Sequence, residues 1–189
     1  MNPITHALTG WSIACLAPLE RRERGVVVLA GIIPDFDGMG VIVDFFTKNS
    51  QKPTEFWGTY HHVLGHNIGC ALIVAIIAFS LSSRRWLTTL LALLSFHLHL
   101  LCDIIGAKGP GGEQWPIPYL LPFTDSVQWV WSGQWALNAW PNFIITALLL
   151  MFTFFIAWRD EISPLELLSE KANSFFVETL RSRFGKPVI

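Results

Sequence analysis

Long apolar runs that carry almost no charge place the strongest constraint on how this chain folds. Two of them, Asn67–Ser82 and Pro141–Trp158, contain no charged side chain. Each approaches the roughly 20 residues that a helix needs to cross about 30 Å of hydrocarbon. A third, Trp86–Ile105, is as apolar but includes histidine and aspartate, and the weaker runs Ile4–Leu19 and Val26–Phe46 are interrupted by polar residues. The runs predict membrane-embedded helices.

The composition supports a membrane protein. Of the 189 residues, 52% are hydrophobic and only 14% are charged, whereas soluble domains usually carry about 25% charge. The net charge of −1 and the lack of a basic face argue against a nucleic-acid partner. Three isolated cysteines argue against a disulfide scaffold. We therefore expect an all-α, polytopic membrane helical bundle of about five membrane-embedded helices over residues 1–160, with membrane lipid as its surroundings. No feature indicates an oligomeric state.

The basic residues predict an orientation, because loops rich in arginine and lysine tend to stay in the cytoplasm. Arginines follow the first, third and fifth runs, and the alternate connections hold only lysines. The arginines are Arg21, Arg22, Arg24, Arg84, Arg85 and Arg159, and the lysines are Lys48, Lys52 and Lys108. The pattern favours a multi-pass protein with its N-terminus outside and its C-terminus in the cytoplasm. Arginines that flank helices by chance are the alternative.

The C-terminal segment 161–189 has a different character. Ser163–Glu166 has the pattern of a capping box with proline at the first helical position. Apolar residues then recur at helical spacing until Gly185. This predicts a cytoplasmic amphipathic helix on the inner membrane surface, and a partner-binding helix is the alternative.

Ionisable residues are concentrated in or beside the apolar runs. They are His6, His61, His62, His66, His97, His99, Asp35, Asp37, Asp44 and Asp103. Ionisable groups at membrane depth are unfavourable unless they are paired or bind something, so each is a candidate functional residue.

Helix geometry places several of these groups at one depth. The groups are His6, Asp35, Asp37, His66, His99 and Asp103. At about 1.5 Å per residue, they lie roughly 16 to 27 Å from the nearest predicted cytoplasmic arginine. Scattered structural histidines are not expected to agree in depth. The agreement predicts one shared site in the outer half of the bilayer, which means an active site that faces outward.

Local spacing shows which of the histidines can converge. His99 and Asp103 are four residues apart and share a helix face, so they can bind one cation together. His97 lies on the opposite face and is more typical of a core or supporting histidine. His62 and His66 are also four apart, whereas a histidine five residues before His66, at position 61, converges with it only if it precedes the first helical turn.

Asp35 and Asp37 lie in a segment that breaks a helix. Pro34 removes a backbone donor, and Gly38 permits a turn. Irregular backbone at membrane depth is tolerated where it lines a polar cavity, which would present both carboxylates to the site. A plain extracellular turn is the alternative.

The ligand types indicate the metal. Imidazole and carboxylate groups without a nearby thiolate suit zinc, manganese or iron(II). They outnumber the ligands of one tetrahedral ion, so one or two divalent ions, with zinc favoured, are predicted. A two-metal site activates water and stabilises both oxygens of a displacement, typically at phosphorus.

These motifs resemble those of the predicted membrane-bound metal-dependent hydrolases, the LexA-regulated, YdjM-like inner-membrane family. That family has an N-terminal histidine, P-D-x-D, H-R-x-x-T-H-S, H-x-x-x-D and a Gly…Trp-Pro loop. Here Thr5-His6, Pro34-Asp35-Phe36-Asp37, His61–Asn67, His99–Asp103, Gly109 and Trp115-Pro116 occur in the same order. The resemblance covers about Thr5 to Pro122 and implies a bacterial or archaeal hydrolase of the cytoplasmic (inner) membrane.

By position, the resemblance implies seven metal-site residues: His6, Asp35, Asp37, His61, His66, His99 and Asp103. Three positions depart from the family pattern, with His62 for arginine, Gly65 for threonine and Asn67 for serine. Gly65 lacks a hydroxyl that could orient a ligand, and His62 would replace a permanently charged contact by a titratable one.

The leading hypothesis is a hydrolase that uses metal-activated water on a phosphoester of a lipid or lipid-linked substrate. In it Asp37 bridges ions or accepts the water proton, and His62 protonates the leaving group or holds phosphate. A metal-ion or proton transporter is the first alternative, because histidines and aspartates inside a bundle also build ion pathways. The absence of a sequence repeat and of a relay across the membrane weighs against it. A non-catalytic membrane protein with a structural metal site is the second.

Overall fold

A computed structural model describes residues 1–109 and 111–187, and within them every extended secondary-structure element is a helix. The α-helices are α1 Pro3–Ala14, α2 Arg21–Ala30, α3 Gly40–Thr47, α4 Phe56–Tyr60, α5 Ile68–Leu81, α6 Arg85–Gly106, α7 Trp140–Asp160 and α8 Glu170–Phe184. Two 3-10 helices, Ile33–Met39 and Pro164–Leu167, follow α2 and α7. The described residues contain no β-strand, which agrees with the expected all-α class.

Side-chain caps explain where several helices begin. Asn2 accepts a hydrogen bond from the backbone N–H of Thr5 at the start of α1, where proline occupies the first turn. Asn67 accepts one from Cys70 at the start of α5. Each cap satisfies a backbone donor that has no partner within the helix.

The helices are shorter than the apolar runs predicted. Among the described helices, only α6 and α7, of 22 and 21 residues, have the length and hydropathy to cross a membrane, at about 33 and 32 Å. The pair formed by α2 and the segment Ile33–Thr47 passes the same test together but bends by 51°. The described residues thus hold two candidate spans, or three with the bent pair, which is fewer than the five predicted.

The other apolar runs form helices too short to cross a membrane alone. Helix α1 has 12 residues and α5 has 14, so they reach only about 18 and 21 Å. Pro34, within the 3-10 helix, separates α2 from α3 as the sequence predicted.

Small residues let the first two helices approach α6 closely. A β-carbon built on Gly31 would lie 2.5 Å from Ser95 Oγ, and one on Gly10 would lie 3.0 Å from the same atom and 3.1 Å from Val28 Cα. Such close backbone approach is typical of helix packing in membranes, where hydrophobic burial cannot drive association. The contact fixes the ends of α1 and α2 against the middle of α6.

The C-terminal segment packs against α7 and α2. Val177 and Leu180 of α8 form a buried cluster with Ala157 of α7, and the half-buried Arg24 of α2 pairs with Glu166 through two hydrogen bonds. We expected an amphipathic helix on the membrane surface, and the structure places its apolar face against α7. Residues 188 and 189 of the predicted 161–189 segment lie outside the described residues.

The predicted capping box at Ser163–Glu166 is not formed. Ser163 Oγ instead donates a hydrogen bond to Asn173 Oδ1 at 2.7 Å, and Glu166 pairs with the Arg24 guanidinium. Helix α8 starts at Ser169, which accepts from the Ala172 N–H. The prediction was wrong because the side chains of Ser163 and Glu166 bind residues from other parts of the fold.

The close contact at Gly10 predicts a stability difference between two glycines in helix interiors. Gly10→Ala should lower the free energy of unfolding by about 1–3 kcal/mol, because its methyl group meets the Val28 backbone. Gly25→Ala is the matched control: its β-carbon would lie 3.5 Å from Leu167, so better helix propensity should leave it equal to or more stable than wild type. Thermal unfolding in one detergent measures both, and equal melting temperatures would contradict the packing argument.

Candidate metal centre

Four separate parts of the chain meet where several helices end. Helix α1 contributes His6 in its first turn, and α6 contributes His99 and Asp103 near its last turn. The 3-10 helix after α2 brings Asp35, and the segment before α5 brings His66. The structure therefore brings together five of the six groups that were predicted to lie at one depth, and the sixth, Asp37, contacts His66 from outside the cluster.

The carboxylate of Asp103 is the centre of this cluster and is buried. Its Oδ1 lies 3.1 Å from His6 Nε2 and also contacts the Met1 amine. Its Oδ2 lies 3.1 Å from His99 Nε2 and 3.3 Å from His66 Nε2. Both oxygens are thus surrounded by nitrogen donors from other parts of the chain.

Three of these atoms have the spacing of ligands to one ion. His66 Nε2 and His99 Nε2 are 3.2 Å apart, and their distances to Asp103 Oδ2 are 3.3 and 3.1 Å. In a tetrahedral zinc site with bonds of about 2.0–2.1 Å, neighbouring ligand atoms are about 3.3 Å apart. The residues present therefore fit a divalent ion.

The outer nitrogens of the two histidines fix which nitrogen faces the centre. His99 Nδ1 donates to the Gly31 carbonyl at 2.8 Å, and His66 Nδ1 donates to Asp37 Oδ2 at 3.0 Å. With the Nδ1 atoms protonated, the Nε2 lone pairs point towards each other and towards Asp103. A proton or a metal ion at this point relieves the resulting repulsion, and histidines of metal sites are commonly oriented in this way.

Among the described residues, two wider groups of side chains could also hold an ion, and both share Asp103 with the triangle of His66, His99 and Asp103. They are His6 with Asp35, His99 and Asp103, and His62 with His66 and Asp103; within each group the ligand atoms lie within 4.8 Å of one another. Three buried atoms of these groups, His6 Nδ1, Asp35 Oδ2 and His62 Nδ1, have no hydrogen-bond partner among the described residues. A shared carboxylate of this kind is compatible with one ion or with two.

Asp37 and His61, both predicted as metal ligands, lie outside these two groups. The Asp37 carboxylate accepts hydrogen bonds from His61 Nδ1 at 2.9 Å, from His66 Nδ1 and from the Gly65 N–H at 2.9 Å. Both carboxylate oxygens of Asp37 are therefore engaged in hydrogen bonds, and one of these bonds orients the His66 ring through its Nδ1 atom. Of the two neighbouring histidines between which the sequence could not choose, the structure brings His62 to Asp103.

Burial and the two carboxylates have opposite effects on the histidines of the connecting segment. Burial lowers the pKa of His62 to about 2, despite the attraction of Asp103, so this imidazole is neutral. Burial alone would also lower the pKa of His66, but the hydrogen bonds to Asp103 and Asp37 raise it to about 9. A proton and a metal ion therefore compete for His66 Nε2.

The wall of the centre includes two tryptophans that the ligand analysis did not single out. The Trp57 ring stacks on His61 at 5.3 Å between centroids, and the Trp115 ring lies edge-on to His62 at 5.0 Å. His62 itself has a backbone φ of 66°, which is unusual for a residue other than glycine. The Trp-Pro motif was the one sequence signal for Trp115.

His97 is outside the centre, as its position on the opposite helix face predicted. Its Nδ1 donates to the Leu93 carbonyl at 2.7 Å, and its Nε2 accepts from the Tyr119 hydroxyl at 2.8 Å. Asp44 is also elsewhere and binds the backbone N–H groups of Phe56 and Trp57. Both have structural roles.

A family model describes this arrangement of motifs. The model of the YdjM inner membrane protein family matches residues 1–170. The chain belongs to the YdjM inner membrane protein family. The match is wider than the motifs suggested, since it includes α7 and the 3-10 helix Pro164–Leu167. Searches of curated proteins and of solved structures found no match.

The hydrogen bonds of Asp37 predict a loss of metal affinity when they are weakened. Asp37→Asn keeps the shape but removes the charge, so the affinity of the metal-free protein for zinc should fall by about 10- to 100-fold. Asp125→Asn, in an exposed loop, is the control and should leave the affinity unchanged. Zinc titration against a chromophoric chelator measures both, and an unchanged affinity in Asp37→Asn would contradict the supporting role.

Gly65 predicts a second, steric effect on the same centre. A β-carbon at this position would lie 2.4 Å from the Pro34 carbonyl oxygen and 2.8 Å from Pro34 Cα. Gly65→Ala should therefore displace the segment that carries His66 and weaken zinc binding. Gly58→Ala is the matched control, because nothing lies within 4 Å of its β-carbon. Equal zinc affinity in the two variants would show that the Gly65 contact does not matter.

Proposed function

We propose that this member of the YdjM family is a metal-dependent hydrolase, and that it cleaves a phosphoester of a lipid or lipid-linked substrate at the outer face of the membrane. The observation that carries the proposal is the triangle of His66 Nε2, His99 Nε2 and Asp103 Oδ2, with edges of 3.1–3.3 Å. Its ligand atoms come from distant parts of the chain, and the protein uses buried polar groups to build it.

His66, His99 and Asp103 would hold the ion, and His6, Asp35 or His62 would complete its ligands or hold a second one. The mixed imidazole and carboxylate set favours zinc, with manganese or iron(II) as alternatives. When bound, such an ion activates water and neutralises charge on a phosphoryl group. The remaining chemistry falls to the side chains around it.

Two residues have distinct roles in this proposal. Asp37 keeps the proton on His66 Nδ1, so that Nε2 remains available as a ligand, and we assign it this positioning role instead of the bridging one expected from sequence. His62 Nδ1 is buried and without a partner among the described residues. A neutral imidazole keeps one N–H, so His62 can donate a hydrogen bond to a phosphate oxygen, and its low pKa argues against the expected role as proton donor to the leaving group.

The position of the centre supports a substrate that is bound to the membrane. The chain belongs to an inner membrane protein family, and the helix next to Asp35 and Asp37, α3, has no buried residue and exposes Val41, Phe45 and Phe46. Apolar side chains beside a polar centre suit a molecule with a hydrocarbon part and an ester group.

The test compares histidines on the same helix. His99→Ala and Asp103→Asn should each remove bound zinc and lower the hydrolysis of a chromogenic phosphodiester at least 100-fold, which corresponds to about 2.7 kcal/mol. His97→Gln keeps a hydrogen-bonding side chain on α6 outside the centre, so it should retain zinc and activity. Metal analysis and turnover are measured on the same detergent-purified proteins.

Three results would contradict the proposal. Wild-type protein without bound metal after purification and reconstitution with zinc would exclude the metal centre. Zinc that is bound and carried into proteoliposomes, with no turnover of any phosphodiester, would identify a transporter. Equal losses in His99→Ala and His97→Gln would mean that unfolding, and not the centre, explains the loss.

A further inference from the structure

A largely apolar cleft leads from the surface of the bundle to the candidate metal centre. Its cavity volume is about 350 Å³, within the usual range of ligand pockets. Met39, Val41 and Ile42, all exposed, line the side formed by α3 and the residue before it. The start of α1 and Leu137 form the facing side.

The inner end of this cleft has a different chemistry. It is lined there by Asp35, His61 and His62. Asp35 is its one acidic side chain, and its Oδ2 atom is buried without a hydrogen-bond partner among the described residues. The cleft is thus apolar at its mouth and polar where it reaches the centre.

A second cavity of about 280 Å³ approaches the same histidines from another direction. It shares His61, His62, Trp57 and Trp115 with the cleft and adds Gln128 and two prolines of the loop after α6. The same four ring side chains therefore line both cavities. A ligand with one apolar and one polar part matches this pair of spaces.

The mouth of the cleft continues the surface that faces lipid. Every large side chain of α3 is half-buried or exposed, and none is buried. In a protein of an inner membrane family, an exposed apolar surface of this kind is suited to contact with bilayer hydrocarbon. A lipid chain can then enter the cleft sideways without passing through water.

We propose that the cleft between α3 and the start of α1 is a lateral binding site for one hydrocarbon chain of a membrane lipid. The chain lies along Val41 and Ile42, and the ester end of the lipid lies beside Asp35 and His62. The second cavity takes the polar headgroup. The assignment of this lipid as the substrate rests on the proposed hydrolase function. The binding of the lipid in the cleft does not depend on that function.

The test uses full-length protein in nanodiscs of phosphatidylcholine that contain phosphatidylcholine with a photoreactive diazirine in its acyl chain. Ala107 is the reporter because it lines the cleft and is buried, so bulk lipid reaches it only through the cleft. After illumination, mass spectrometry should find label on the peptide that contains Ala107. Bound zinc, measured on the same samples, reports that the centre is intact.

Variants at the mouth identify the route. Val41→Trp should narrow the cleft and lower the label at Ala107 at least fivefold, while Val41→Ala should not. Ile73→Trp is the matched control, since Ile73 is exposed on α5 outside the cleft and its replacement should leave the label unchanged. Ile42→Trp serves as the blocking variant if Val41→Trp loses its zinc.

The outcomes separate this proposal from the hydrolase. Label at Ala107 that disappears on blocking, with no hydrolysis, would support the lipid site and refute the enzyme. Zinc binding and turnover of a soluble phosphodiester without label at Ala107 would refute the lipid site and leave the enzyme. Label that persists equally in both blocking variants refutes the route. A dimer that dissociates in Val41→Trp, without label in wild type, would identify a second copy of the chain as the occupant.

Discussion

A carboxylate buried inside an apolar helical bundle is the constraint on which this structure depends. Asp103 cannot be ionised there without compensating partners, because an isolated buried charge is strongly unfavourable. The partners come from α1, from the residues before α5 and from its own helix. The first turn of α1, the last turn of α6 and the start of α5 must therefore meet at one level.

The packing of small residues and the geometry of the centre are parts of one arrangement. Gly31 lies against Ser95, and its carbonyl oxygen accepts a hydrogen bond from His99 Nδ1. Gly65 lies against Pro34 and donates its N–H to Asp37. At both places a side chain would push apart the backbone that orients a ligand. The departure from threonine to glycine at position 65 is consistent with this close approach.

The broken helix gives the centre its access to the surroundings. Because the chain bends between α2 and α3, its two carboxylates lie on irregular backbone, and α3 forms one side of the cleft. Backbone of this kind at membrane depth is tolerated where it is buried or lines a cavity. The same break reduces the number of helices long enough to span the membrane. The break that shortens the helices is thus the same feature that shapes the site.

The amino-acid sequence by itself determined the helical class, the apolar α6 and α7, the helix break at Pro34 and the set of ligand-type residues. These follow from local periodicity, from proline chemistry and from the common depth of His6, His99 and Asp103. Only the tertiary structure decided that His62, and not His61, approaches Asp103. It also decided that Asp37 accepts a hydrogen bond from His66 Nδ1. The capping box predicted at Ser163–Glu166 does not form, because Ser163 binds Asn173 and Glu166 pairs with Arg24. Helix spacing sets the level and face of a side chain, but its contacts depend on the neighbouring segments, which local sequence does not specify.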